Sequence, residues 1–250
     1  MKKEFIQQFD GYAEIAKEQE IATKLGNDHQ AERGNAQRLL NRLHPSRLDL
    51  QVADIIDETS STKTLRLISP DRYLPPFQAG QYIAVFVETQ HIRTSRAYSI
   101  SSSPNQLAYY DITIRRVDDG LVSGYLLDEV QAGDRIETSG PEGHFHFNPV
   151  FHDKEMVCIA GGSGITPIMS MIREIVEGRL DRQLTLFYGN RNTNDIIFDS
   201  ELHYLADRSE NLKYIPVIEK PANGYTGVTG YITGEVIQNT VGRLENKSFY

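Results

Sequence analysis

MVCIAGGSGITPIMSMI, residues 156–172, is the stretch on which the fold turns. Met156 to Ala160 form an apolar run of strand length, and Gly161, Gly162 and Gly164 follow at once. Pro167 then stands where a helix would begin, a position at which its missing N–H would have had no partner in any case. Ile168, Ile172, Ile175 and Val176 continue at helical spacing and give that helix an inward stripe. A strand that runs through glycines into a helix lets the backbone approach an anion and offers it unsatisfied N–H groups and a positive dipole. Because Pro167 occupies the place of a third glycine, the string departs from GxGxxG, and an ordinary strand–helix turn remains its competing reading.

Downstream of this turn the pattern alternates. A strand is expected over Leu184 to Tyr188, a helix from near Asp195 to Leu205, a strand over Leu212 to Val217 and a helix from Glu235 onward. Such alternation is the mark of a parallel, helix-flanked sheet. Upstream, between Leu48 and about Pro149, the apolar period is two, as in Leu48, Leu50 and Val52, in Tyr82 to Val87, and in Asp111 to Ile114. Turns such as Pro75–Pro76, Gln78–Ala79–Gly80 and Ala132–Gly133–Asp134 punctuate those strands and predict an antiparallel barrel. Residues 1–46 read as helical, with Phe5, Phe9, Tyr12, Ile15 and Ala16 on one face and Ala36, Leu39, Leu40 and Leu43 on another, separated by Gly26–Asn27–Asp28. His44–Pro45 stops the second helix. The extension is expected either to pack on its own chain or to mediate oligomer or partner contact. The domains expected are thus residues 1–46, 47–148 and 149–250.

At 250 residues the chain is long enough for two modest domains with real cores. Its 26 basic and 34 acidic residues leave a net charge of −8, which argues against nucleic acid and anionic lipid as partners. The single cysteine, Cys158, excludes a disulfide framework, a CxxC pair and an iron–sulfur cluster held by this stretch of chain, since a cluster takes about four thiolates. It sits in an apolar strand and reads as a packed thiol. His144, His146 and His152 lack the carboxylate or cysteine spacing of a metal site, so no metal is expected. No apolar run reaches the roughly 18–20 residues of a membrane span, and MKKEFIQQFD lacks the apolar core of a signal peptide, so the cytoplasm is the expected compartment.

A second constellation, Arg96–Ala97–Tyr98–Ser99 followed by Ser101, Ser102, Ser103 and Pro104, puts a cation, an aromatic ring and hydroxyls close together. A guanidinium forks to phosphate, a tyrosine ring stacks on a planar heterocycle, and a serine can bond a ring nitrogen whose protonation changes on reduction. The basic strand end Ile114–Arg115–Arg116 and the turn Gly120–Leu121–Val122–Ser123 opening a short helix are suited to a diphosphate in an otherwise acidic chain.

With Arg96–Ala97–Tyr98–Ser99, Gly120 to Leu126, Gly140–Pro141–Glu142–Gly143–His144–Phe145 and Gly161 to Pro167 in this order, the chain from about Leu48 to Tyr250 resembles the ferredoxin–NADP reductase superfamily. The oxygenase-type and phenylacetyl-CoA-type electron-transfer reductases are the nearest in pattern. The resemblance implies an FAD-binding barrel (FMN being the lesser alternative) followed by a domain for NADH or NADPH. Hydride would pass to flavin N5, and single electrons would leave for an iron–sulfur protein or a [2Fe–2S] domain outside this chain. Free-standing flavin reduction and a non-catalytic flavin-binding partner module are the alternatives. Carried onto this sequence, Arg96 would pair with flavin phosphate, Tyr98 stack on the ring and Ser99 bond N5. Ile114, Arg115, Gly120, Val122 and Ser123 would hold the flavin and its diphosphate; Gly161, Gly162, Gly164 and Thr166 would receive the nicotinamide nucleotide. Ser99, Tyr98 and Thr166 are the residues expected at the reacting atoms. Asn190–Arg191 falls where the adenosine ribose should lie, and leaves NADH against NADPH open. The family continues into a Cys-Gly-Pro segment, whereas this chain stops at Ser248–Phe249–Tyr250, which predicts truncation within the second domain.

Overall fold

The computed structural model describes residues 12–25, 35–71, 73–88 and 93–250. The chain divides into two compact units, residues 1–43 and 44–250. Among its described residues the first holds two helices, α1 (Tyr12–Leu25) and α2 (Asn35–Leu43), the second ending just before His44–Pro45 as proline requires. Leu39 and Leu40 on α2 are exposed. Phe5, Phe9 and the Gly26–Asn27–Asp28 turn lie outside the described residues.

In the second unit β1 (Leu48–Thr59), β2 (Thr62–Ile68), β3 (Tyr82–Glu88), β4 (Arg93–Ser99), β5 (Tyr110–Arg115) and β6 (Arg135–Thr138) make one antiparallel sheet in the order β4-β3-β6-β1-β2-β5. An antiparallel bridge from Ile100, just past β4, to Ile112 of β5 brings the two ends together. Alternation does the sorting: Ile83, Val85 and Val87 of β3 point inward to join Leu50, Leu65, Leu67, Ile112 and Ile114 in one core. Burying each such side chain contributes about 1.5–3 kcal/mol. Helix α3 (Leu121–Asp128) adds Val122 and Leu126 to that core.

The parallel sheet that follows contains β7 (Glu155–Gly161), β8 (Gln183–Asn190), β9 (Leu212–Ile218), β10 (Val228–Thr229) and β11 (Lys247–Phe249), ordered β10-β9-β8-β7-β11. Helices α4 (Ile165–Glu177), α5 (Asp199–Arg208) and α6 (Gly234–Val241) connect its strands. The strand and helix succession expected from the glycine turn outward is therefore present, with β11 seated beside β7 from Lys247. Cys158 is fully buried in β7, and burial pushes its thiol pKa up.

Polar staples join the two sheets. Arg173 of α4 grips Glu201 of α5 at 2.8 and 2.6 Å and donates to the Ser101 carbonyl at 2.7 Å, while Ser170 donates to the Ser102 carbonyl at 2.7 Å. Asp195 accepts from Thr59 at 2.8 Å and Ser61 at 3.0 Å, and pairs with Arg115. One α4 carboxylate lacks such support. Glu174 Oε2 is buried without a hydrogen bond among the described residues, and desolvation lifts its pKa to about 7 from an ordinary 4.5. A folded-state pKa raised above the unfolded value contributes stability below the unfolded pKa and loses it as pH rises through the folded one. Glu174→Gln is accordingly expected to melt higher than the parent at about pH 8, with the gap closing near about pH 5. Thermal melts at both values check it; a gap that is independent of pH would contradict the assignment.

Candidate functional site

Strand β4 carries Arg96, Ala97, Tyr98 and Ser99 along one wall of a cleft of about 450 Å³. Thr113 and Arg115 of β5 and the Gly120–Ser123 turn make the floor and far side, and Ser163 and Thr166 reach in from the α/β half. Arg96 is exposed and, among the described residues, bonds locally, to Thr94 Oγ1 at 3.0 Å and the Ser95 carbonyl at 2.7 Å. Tyr98 is half-buried, and desolvation raises its pKa despite the nearby Arg96.

The turn before α3 has the shape of an anion cradle. Gly120 is the N-cap with no side-chain capping bond, so the first N–H groups of α3 have no intrahelical acceptor. A Cβ on Gly120 would stand 2.4 Å from Ser123 Oγ and 2.9 Å from the Val117 carbonyl, so only glycine fits. Ser123 Oγ donates to the Gly120 carbonyl at 3.3 Å and accepts from the Val117 N–H at 3.2 Å, which fixes the loop. Arg116, alongside, is held by Asp128 through a two-pronged pair at 2.5 and 2.8 Å. A phosphate-bearing ligand with a flat ring fits this set: the Arg96 guanidinium and the free N–H groups at Gly120–Ser123 suit phosphate, and the Tyr98 ring offers a face for stacking.

The glycine turn separates this cleft from a second one of about 500 Å³ at the carboxyl ends of β7 and β8. Gly161, Gly162, Gly189, Asn190 and Arg191 line it, together with Asp195, Glu219 and Tyr231. Ligands of open α/β sheets sit at this end of the strands. Gly162 has φ +51°, and a Cβ there would come within 2.8 Å of Arg115 Nη1. Tyr188 donates to the Gly162 carbonyl at 2.8 Å and Thr166 to the Ser163 carbonyl at 2.7 Å, so the turn is pinned from both sides. Arg115 lines both clefts.

Most of the expected residues therefore gather in two adjoining clefts. Ile114 does not present its side chain to the cleft: that side chain is fully buried in the barrel core, because strand alternation hands the cleft wall to Thr113 and Arg115. Gly164 caps α4 and lines neither cleft. Asn190 is buried, while Arg191 is exposed at the cleft edge. Sequence reasoning missed Thr113, Ser163, Asp195, Glu219 and Tyr231; only the Thr–Ile alternation in β5 held a usable signal. His152 Nδ1 accepts from the Asn148 N–H at 2.9 Å and lies 2.6 Å from the Tyr250 hydroxyl, which ties the ring to the last strand.

Comparison with known proteins agrees with this division. Residues 48–147 match the oxidoreductase FAD-binding domain and residues 158–250 the oxidoreductase NAD-binding domain. The chain is 34% identical over 183 residues to the phenol hydroxylase P5 protein of Acinetobacter pittii, covering 72% of this chain and 50% of that one. It is 36% identical over 169 residues to the ferredoxin reductase component of 3-ketosteroid-9-alpha-monooxygenase of Mycobacterium tuberculosis, covering 64% and 46%. The chain thus spans about half the length of these curated relatives. Its fold matches the FAD/NAD-binding domain of nitric oxide dioxygenase from Vibrio cholerae with a TM-score of 0.70 at 21% identity, over 81% of this chain and 85% of that one. No helix among the described residues is long and apolar enough to cross a membrane.

Proposed function

We infer that this chain, which belongs to the ferredoxin reductase-like superfamily, is a flavoprotein reductase that takes hydride from NAD(P)H onto FAD and passes electrons singly to an iron–sulfur acceptor. The observation that carries the reading is the adjacency of the two clefts, divided by the Gly162–Gly164 turn and sharing the Arg115 wall. Bound FAD supplies the chemistry that the side chains lack, accepting an electron pair and releasing single electrons. Arg96 and the N–H groups at Gly120–Ser123 hold its phosphates, Tyr98 covers the ring face, and the Ser99 hydroxyl faces the reacting edge. Ser163 and Thr166, entering from the α/β half, narrow the space in which the nicotinamide must come within about 3–3.5 Å of the flavin. Gly161 and Gly162 admit the nucleotide diphosphate, with Asn190 and Arg191 at its adenosine end. The acceptor is an iron–sulfur protein or domain, a reading supported by relatives named as reductase components of monooxygenases. We place the chain in the cytoplasm, and assign residues 1–46 to contact with another copy or a partner through the exposed Leu39 and Leu40.

An anaerobic visible titration of the FAD-loaded chain tests the reading. NADH or NADPH is expected to bleach the flavin band at about one equivalent. Flavin that binds and stays oxidised with saturating amounts of both would overturn it.

A further inference from the structure

Behind the flavin cleft lies another polar cavity, of about 290 Å³, walled by Glu58, Thr64, Arg66, Asp111, Arg173 and Glu201 among others. An unbroken line of hydroxyls connects the two. Thr113 lines the flavin cleft, and its Oγ1 is 2.8 Å from Thr64 Oγ1. The Thr64 hydroxyl in turn donates to Glu58 Oε1 at 2.6 Å, and Ser101 Oγ joins the line 3.1 Å from Thr113 Oγ1.

The backbone is arranged to make this line. Thr64 of β2 and Thr113 of β5 are direct cross-strand partners, both buried. Glu58 reaches them through a bulge: Asp57 pairs with Lys63 and Thr59 with Thr62, which leaves Glu58 as the extra residue of β1. Bulges beside active sites serve to re-aim a side chain. A facing valine pair would fill the same space without hydroxyls that need partners. Each hydroxyl is both donor and acceptor, so a proton accepted at one end is matched by a proton passed on at the other, and rotation of the hydroxyls then resets the line.

We propose that Thr113, Thr64 and Glu58 form a proton relay that carries a proton from the flavin cleft to the rear cavity, with Glu58 Oε1 as its acceptor. The proposal rests on the flavin reading above. Hydride brings an electron pair and one proton's worth of hydrogen into the cleft; the electrons depart singly to the acceptor, and one proton is left to leave. Thr113 takes that proton and hands its own to Thr64, as Thr64 passes its own to the Glu58 carboxylate, which releases it to water in the rear cavity. Facing Glu58 are Arg173 from α4, Glu201 from α5, Asp111 from β5 and Arg66 from β2. Burial raises the Glu58 pKa most, against the Thr64 hydrogen bond and Arg173, with Glu201 and Asp111 adding to the rise. A carboxylate so placed is a better base than an exposed one.

The test uses the FAD-loaded full chain, reduced by light with EDTA as electron donor and mixed anaerobically with ferricyanide in weakly buffered indicator dye. Each flavin gives one electron to each of two ferricyanides and one proton to the solution. In the parent, proton appearance should keep pace with flavin oxidation. In Thr113→Val and Glu58→Gln it should lag by about tenfold or more, and Thr113→Ser should restore it. A time-resolved infrared difference spectrum taken during reoxidation adds a second readout: a transient carboxyl band absent from Glu58→Gln. Prompt proton release in both variants, or no such band, overturns the relay. Should Thr113→Val lose FAD, Glu58→Gln decides, because Glu58 stands outside the flavin cleft. Since light does the reducing, a chain that refuses NAD(P)H would sink the reductase reading and leave this test standing, whereas a chain that binds no FAD would sink both.

Discussion

Replacing Arg96 and Tyr98 together by alanine should weaken FAD binding about a thousandfold, taking charge-assisted bonds to phosphate at about 1.5–3 kcal/mol and ring stacking at about 1–3 kcal/mol. Their sum near 4 kcal/mol, at about 1.4 kcal/mol per factor of ten, gives that figure. The two side chains differ in what else they do. Arg96 is exposed and, among the described residues, bonded to Thr94 and Ser95, so Arg96→Ala strands no buried group there and should leave the melting temperature of the ligand-free chain nearly unchanged. Tyr98 packs partly against the barrel core, so Tyr98→Ala should lower both FAD affinity and stability. Calorimetric titration of FAD into each ligand-free variant measures the affinity, and circular dichroism verifies the fold. A double variant whose FAD affinity stays within about threefold of the parent would remove both residues from the site, since that is under 1 kcal/mol.

How far this could be read from the sequence depends on what each signal encodes. The period of two in Tyr82–Val87 and the apolar run Met156–Ala160 each fix a local conformation and an inward face, so both sheets were legible before any pairing was known. The glycine turn was legible because strand, glycines and Pro167 follow one another without a gap. The placing of the Ile114 side chain was not legible, for a different reason. Strand β5 is buried on both faces, one against the barrel core and one against the cleft and the hydroxyl line, so alternation alone does not say which face meets ligand. Asp195, Glu219 and Tyr231 reach the second cleft from three separate segments, and nothing local to any of them marks that meeting. The bulge at Glu58 is likewise a property of register between β1 and β2, which no stretch of β1 read by itself contains.

Gly80 shows how a single turn ties the barrel to the α/β half, and Gly80→Ala should cost about 3 kcal/mol from left-handed strain of about 1–2 and overpacking of about 1–3 kcal/mol. The residue has φ +103°, and a Cβ built on it would lie 2.4 Å from the Phe145 carbonyl oxygen, 2.7 Å from Met171 Cε and 3.1 Å from His146 Cα. Met171 is fully buried on α4, and the Phe145 segment is anchored beside Gly80 by the Phe147 N–H, which donates to the Ala79 carbonyl at 2.9 Å. Neither neighbour is the loose end of an exposed side chain. At about 2–4 °C per kcal/mol for a chain of this size, the melting temperature should fall by about 10 °C. Gly133→Ala separates the two causes. Its φ is +100°, close to that of Gly80, yet nothing lies within 4 Å of the added Cβ. That variant keeps the strain and lacks the clash, so it should lose only about 1–2 kcal/mol. Differential scanning calorimetry of the pair gives the answer: unequal losses in this order place the larger part of the Gly80 effect in the contact between barrel, Phe145 segment and α4, whereas equal losses would assign all of it to backbone conformation and leave that contact without a measurable role.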